Sequence, residues 1–246
     1  MNLPAIKQIA TAEFADKRSA PYNERGDKFA HGERVAKLAV RLRQLIFPCS
    51  GGNLPPDFAE DDNIDDILTV AAWFHDVRNG IDGTDRRIHA EEGAKITRQL
   101  LAGHCTVDEL EQICGIISVH DDRKPDGNTY SNAVKLHQDA DHLDHFATLG
   151  IWRFTLISTG HNQTINEGLD YIKQNRAAEV AKWSTKYNFE LSKRIFDDKM
   201  RFEDTYFERF FAESEGRIWN EDEIAGQARN DSRGGRPRPP AKQVIK

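Results

Sequence analysis

Apolar positions along this chain recur with helical spacing. Residues 29–47 place Val35, Leu38, Ala39, Leu42, Leu45 and Ile46 on one stripe, with His31 one turn earlier. The segment FPCSGGNLPP (47–56) interrupts the period with Pro and Gly. EDDNIDDILTVAAWFHD follows, with an acidic first turn and Asn63 as an N-cap candidate. It is apolar on all sides from Ile67 to Phe74, the pattern of a helix buried at the centre of a domain. Asn79-Gly80 is a natural stop.

A third helix is expected over about 88–102, with His89, Gly93, Ile96 and Leu100 along one face and Gly103 as terminator. Thr106-Val107-Asp108-Glu109 reads as a capping box opening a fourth, on which Leu110, Ile113, Ile117 and His120 share a face. DDRKPDGNTYSN (121–132) reads as a loop. A fifth helix is expected from Asn132 through Asp141 to near Phe146, then a helix or short extended piece in GIWRFTLIS, then a long helical pattern from Gln163 to Phe211. Alternating strand patterns are nearly absent. The expected fold is therefore all-α: one compact multi-helix domain over 1–224 and a flexible basic tail over 225–246.

Composition narrows the class. The 246 residues are 38% hydrophobic and 30% charged, ordinary for a globular chain. No apolar run is long enough to span a bilayer, and the first residues interrupt every apolar stretch with charge, unlike a secretory signal. The three cysteines (Cys49, Cys105, Cys114) have no CxxC spacing and cannot all pair, so a reduced, cytoplasmic setting is expected. The net charge is −6, but Arg229 to Lys246 holds six basic residues against one acidic, which leaves −11 on the rest. Such a body does not favour nucleic acid as a partner.

Nine histidines remain to be explained, and their positions carry the chemistry. His75 and Asp76 end an otherwise apolar helix, where polar groups cannot stay unpartnered without cost. His31, His89 and His120 each fall on or next to the apolar face of a separate predicted helix, and Asp141 lies in the acid-rich QDADHLDHF. A divalent metal is the simplest group that would satisfy imidazoles and carboxylates aimed inward from several helices. His104, His137, His142, His145 and His161, taken singly, need no special role.

The ordered set resembles the HD-domain superfamily of metal-dependent phosphohydrolases: His31 in AHGERVAKLA, His75-Asp76 in AAWFHDVRNG, and Asp141 in QDADHLDHF. His89 in HAEEGAKI and His120 in SVHDDRKPDG stand where two-metal members carry two further histidines. The resemblance covers about 22–157, a motif-bearing core, and leaves 163–224 as a helical extension. It departs at Asp121, where many two-metal members have a second His, and at Val77-Arg78-Asn79, where many have Ile-Gly-Lys.

The resemblance implies that His31, His75, Asp76 and Asp141 bind one metal, and that Asp76 bridges to a second held by His89 and His120. One or two divalent ions (Mn, Mg, Co, Ni, Fe or Zn) would then activate water against a nucleotide or other small phosphate ester. Asp76 and Asp121 are the candidate catalytic carboxylates, and Asp144 and Glu92 are further candidates to hold or move a proton. Arg78, Arg123 and Lys124 are candidate phosphate partners. Two other readings share the cage: an HD-type di-iron oxygenase and a non-catalytic nucleotide-sensing module.

Overall fold

The computed structural model describes residues 1–19, 24–25, 27–48, 55, 58, 63–78, 88–122, 129–220 and 224–225. Among the described residues it is all-α, with nine helices and one two-residue antiparallel ladder, Arg18–Ser19 against Glu24–Arg25. The expected basic tail lies outside the described residues from position 226 onward. None of the described helices is long and apolar enough to cross a membrane. The chain divides into two compact units, Met1–Glu203 and Asp204–Lys246.

Helix α1 (Leu3–Phe14), which the periodicity did not single out, opens on Asn2, whose side chain accepts from Ala5 N–H. It buries Ile6, Ala10 and Phe14, one residue per turn. In α2 (Asp27–Ile46) the stripe is real for Val35, Ala39 and Leu42, but Leu45 turns outward with 47% of its surface exposed. Helix α3 (Ile64–Phe74) is buried nearly all round, as its unbroken apolar run requires. Asn63 precedes it without capping it: its side chain donates instead to Glu109 at 3.1 Å.

Helix α4 (His89–Leu100) buries His89, Gly93 and Thr97, with Ile96 and Leu100 half-buried, and the chain leaves it through Gly103 at φ +81°. Helix α5 (Val107–Ser118) starts on the expected capping box: Glu109 N–H donates to Thr106 Oγ1, and Glu109 Oε2 accepts from Thr106 N–H at 2.8 Å. Helix α6 (Asn132–Asp144) is polar in sequence, yet every residue from Ala133 to Asp144 except Lys135 is buried.

Helix α3 sits at the centre, packed against α1, α2, α5 and α6, and α2 also packs along α6. Gly32 makes the closest crossing possible. A Cβ there would lie 2.6 Å from Ala72 O, so only glycine lets α2 approach α3 closely enough to set His31 beside His75.

The C-terminal helices are α7 (Thr148–Gly160), α8 (Ile165–Ser184) and α9 (Glu190–Ser214), so the long pattern after Gln163 breaks once. The α6–α7 junction turns on Ala147 at φ +65°, whose N–H donates to Glu203 at 2.5 Å. Glu203 is buried and paired with Arg176 at 2.6 Å. The α8–α9 connection is pinned by Asp139 of α6. Its carboxylate accepts from Asn188 N–H at 2.9 Å and Phe189 N–H at 3.1 Å, an N-cap supplied from another helix. Within Asp204–Lys246, the rings of Tyr206, Phe207 and Phe210 pack edge to face.

Candidate metal centre

Two helix ends set the first ligands. His75 follows α3 directly, and its Nδ1–H donates to Ala72 O at 2.8 Å. His120 stands just past α5, and its Nδ1–H donates to Ile117 O at 2.7 Å. Both bonds go to a carbonyl three residues back, in the last turn of the ending helix. Because Nδ1 must carry the proton to donate, each ring presents Nε2 as a lone pair.

His31, from α2, is oriented by carboxylates. Its Nδ1 lies 2.8 Å from Asp144 Oδ2 and its Nε2 3.1 Å from Asp141 Oδ1. Asp144 is itself held by Arg34, which donates from Nε at 2.9 Å and from Nη2 at 2.9 Å. Asp144 is thus an orienting carboxylate, the type of partner that fixes a ligating imidazole.

These groups converge. His75 Nε2 is buried with no hydrogen bond, 3.7 Å from Asp141 Oδ1 and 3.9 Å from Asp76 Oδ1. His89 Nε2 lies 3.1 Å from His120 Nε2 and 3.9 Å from Asp76 Oδ1, and His120 Nε2 lies 4.0 Å from the same oxygen. Asp76 Oδ1 therefore stands between the two histidine groups. Its Oδ2 accepts from Lys28 Nζ at 2.7 Å, a partner no sequence pattern marked. All six residues of the expected set, His31, His75, Asp76, His89, His120 and Asp141, are buried.

The donor set fits a metal. Donor atoms about 2.1 Å from one ion lie roughly 3.0–3.4 Å from each other. The separations here start at that spacing and exceed it by tenths of an ångström. Two groups of three donors lie close enough to hold an ion, His31, His75 and Asp141, and His75, Asp76 and His120. Burying such carboxylates beside unprotonated nitrogens is costly unless a cation joins them.

The electrostatics agree. Burial alone would raise Asp76, but Lys28 and the facing imidazoles outweigh it and hold the carboxyl well below its ordinary range. Burial and the neighbouring His75 push His120 down to about 4, which keeps it in the neutral form that a metal ligand needs. Burial would also lower His31, but its hydrogen bonds to Asp141 and Asp144 push it up to about 9.

A pocket of about 380 Å³ opens over the cluster. Asp76, His89, His120 and Asp141 form its floor. Asp121 lies at its edge, half exposed, with Oδ2 3.8 Å from His89 Nδ1. His145 also lines it, stacked on His31 with ring centres 5.2 Å apart. The far wall comes from the extension: Arg153 of α7, Lys182 and Trp183 of α8, and Lys186 just beyond.

Among the described residues, Arg78 is not part of this wall, and Arg123 and Lys124 lie outside the described residues. Glu92 is half-buried on α4 and bonded to Lys95. The cations that do line the pocket were not legible in sequence. Long basic side chains on α7 and α8 look like any solvated helix face.

No protein-family model and no curated protein matches the chain. Solved structures do. An HD-superfamily hydrolase from Bacillus thuringiensis aligns at 20% identity over 87% of this chain and 96% of its own, with a TM-score of 0.60. YpgQ of Bacillus subtilis, in complex with ADP, aligns at 17% identity over 85% and 97%, with a TM-score of 0.54. A protein from Lactobacillus plantarum aligns at 21% identity over 87% and 97%, with a TM-score of 0.56. Identities this low establish architecture. The chain therefore shares the fold of these solved structures, with Asp76, His89, His120 and Asp141 of the expected signature on the floor of one pocket and His31 and His75 buried beside them.

Proposed function

We propose that this protein is a metal-dependent phosphohydrolase acting on a nucleotide or other small phosphate ester. The observation that carries the reading is His75 Nε2: a buried lone pair without a hydrogen bond, facing Asp76 and Asp141 across less than 4 Å. His31, His75, Asp76 and Asp141 would hold one ion, and Asp76, His89 and His120 a second. Bound there, a divalent ion supplies hydroxide at neutral pH and polarises a phosphoryl oxygen.

The chain's own residues do the remainder. Arg34 and Asp144 hold the His31 ring so that Nε2 faces Asp141. The carbonyls of Ala72 and Ile117 keep the protons of His75 and His120 on Nδ1. Asp121, at the edge of the pocket, is placed to hold or move a proton between substrate and solvent. The ADP of YpgQ supports a small phosphorylated ligand for this fold. The free thiols Cys105 and Cys114 suit a cytoplasmic location.

The test is a panel of phosphate esters assayed with Mn, Co, Ni, Mg, Fe and Zn. Turnover is expected with at least one ion, lost in EDTA and reduced by about a thousandfold or more in Asp76→Ala. Activity that survives both changes would overturn the reading. Purified protein carrying iron with a mixed-valence signal and no ester turnover would favour the oxygenase instead. Ligand binding without turnover across the whole panel would favour the sensing module.

A further inference from the structure

The pocket carries opposite charges on opposite sides. Its floor holds Asp76 and Asp141 among the imidazoles, and its far wall holds Arg153, Lys182 and Lys186. Among the described residues, neither Arg153 nor Lys182 forms an ion pair with a carboxylate of the chain. Two charged side chains line a concave site, and no acid among the described residues neutralises them.

The wall is anchored to the metal-bearing helix. Trp183 packs on His142, the residue after Asp141, with ring centres 4.5 Å apart and edge to face. Lys182 Nζ lies over the Trp183 ring at 4.7 Å from its centre. Just past Lys186, Asn188 and Phe189 are tied to Asp139 of the same α6 helix. The cations thus face the floor from a fixed backbone. A monoester bound with its phosphoryl group on the floor would leave Arg153 and Lys182 without an anionic partner among the described residues. A volume of about 380 Å³ admits a second charged group beyond the first.

We infer that Arg153 and Lys182 are positioning residues that hold a second anionic group of the substrate, a further phosphoryl group or a carboxylate. This rests on the reading of the floor as a metal site. It adds that the preferred substrate is charged at two places. A guanidinium and an ammonium group that give up no carboxylate partner on binding keep most of their electrostatic gain for an incoming anion.

Two matched ligand pairs test it, by calorimetric binding to the full chain at a fixed free manganese concentration. AMP against ADP adds a phosphoryl group. Glycerol 3-phosphate against 3-phosphoglycerate changes a terminal hydroxyl for a carboxylate. The doubly anionic member of at least one pair is expected to bind about tenfold tighter, as one charged hydrogen-bonded contact provides. The responsive pair tells which group the wall takes.

In Arg153→Ala/Lys182→Ala the preference is expected to fall below about threefold, and in Arg153→Lys/Lys182→Arg to return. Both side chains reach the pocket surface, so circular dichroism of the double variant is expected to match the wild type. Equal affinities within both pairs, absence of binding for all four ligands, or a preference unchanged in the alanine variant would each overturn the inference. Binding needs no turnover, so the two readings fail separately. A two-charge preference without hydrolysis removes the phosphohydrolase and keeps the wall. Hydrolysis without the preference does the reverse.

Discussion

Helices α3 and α7 are both mainly apolar along the chain, yet from Ile67 to Phe74 every residue of α3 except Thr69 is buried, whereas no residue of α7 is. The difference shows what burial does to polar neighbours. At the end of α3, His75 and Asp76 are carried into the interior, where each donor and acceptor must find a partner. That demand is why carbonyls, carboxylates and Lys28 converge on them. On α7, Arg153 meets no such demand and keeps its charge for the pocket. One region is organised by the cost of burying charge and the other by its absence.

The comparison can be broken most directly at the α2–α3 crossing. Gly32→Val places a Cβ 2.6 Å from Ala72 O and two methyls beyond it. The expected loss is about 3 kcal/mol in chemical denaturation, because backbone on both sides must shift. A variant as stable as the wild type would show that the crossing has room.

A pH series sharpens the buried side. His31 has its pKa pushed up to about 9 from 6.5, so in the metal-free protein its stabilisation is fully present below pH 6.5 and is lost as pH rises through 9. The denaturation midpoint of EDTA-treated protein is expected to fall between pH 7 and 9. Metal-loaded protein, with the His31 nitrogen already deprotonated, is expected to lack that fall. A flat profile without metal would contradict the hydrogen bonds drawn to Asp141 and Asp144.

Asp144→Asn acts one step from the cluster. It keeps the shape but removes the charge that orients His31 and pairs with Arg34. Metal affinity is expected to weaken by about 10- to 100-fold, read by competition with a chelating dye. An unchanged affinity would place Asp144 outside the metal's support.

The smallest effect is expected on α7. Trp152 is 56% exposed, so Trp152→Ala is expected to change stability by less than about 0.5 kcal/mol. A loss of several kcal/mol would mean that α7 is covered in solution.

Much of this was legible beforehand. The capping box at Thr106–Glu109, the stop at Gly103 and the burial of α3 all follow from local residue chemistry and were read as such. The burial and convergence of His31, His75, Asp76, His89, His120 and Asp141 were legible too, because histidine and aspartate at the ends of apolar helices have few inexpensive places to go. His145 and Asp139 were not. His145 was assigned no role and stacks on His31, while Asp139, two residues before the expected Asp141, caps another helix instead. A lone imidazole or carboxylate carries no mark of which neighbour it will meet.

The sequence by itself determined that this chain is helical, where several of its helices begin and end, and that His31, His75, Asp76, His89, His120 and Asp141 lie inward. Those are matters of periodicity, capping and the cost of burying polar groups, all of which act within a few residues. Only the tertiary structure decided that Lys28 pairs with Asp76, that Asp144 and Arg34 orient His31, and that Arg153, Lys182 and Lys186 face the cluster. The hydrogen-bonded pairs among them join residues 48 to 113 positions apart, and only the packing of helices against one another sets those distances.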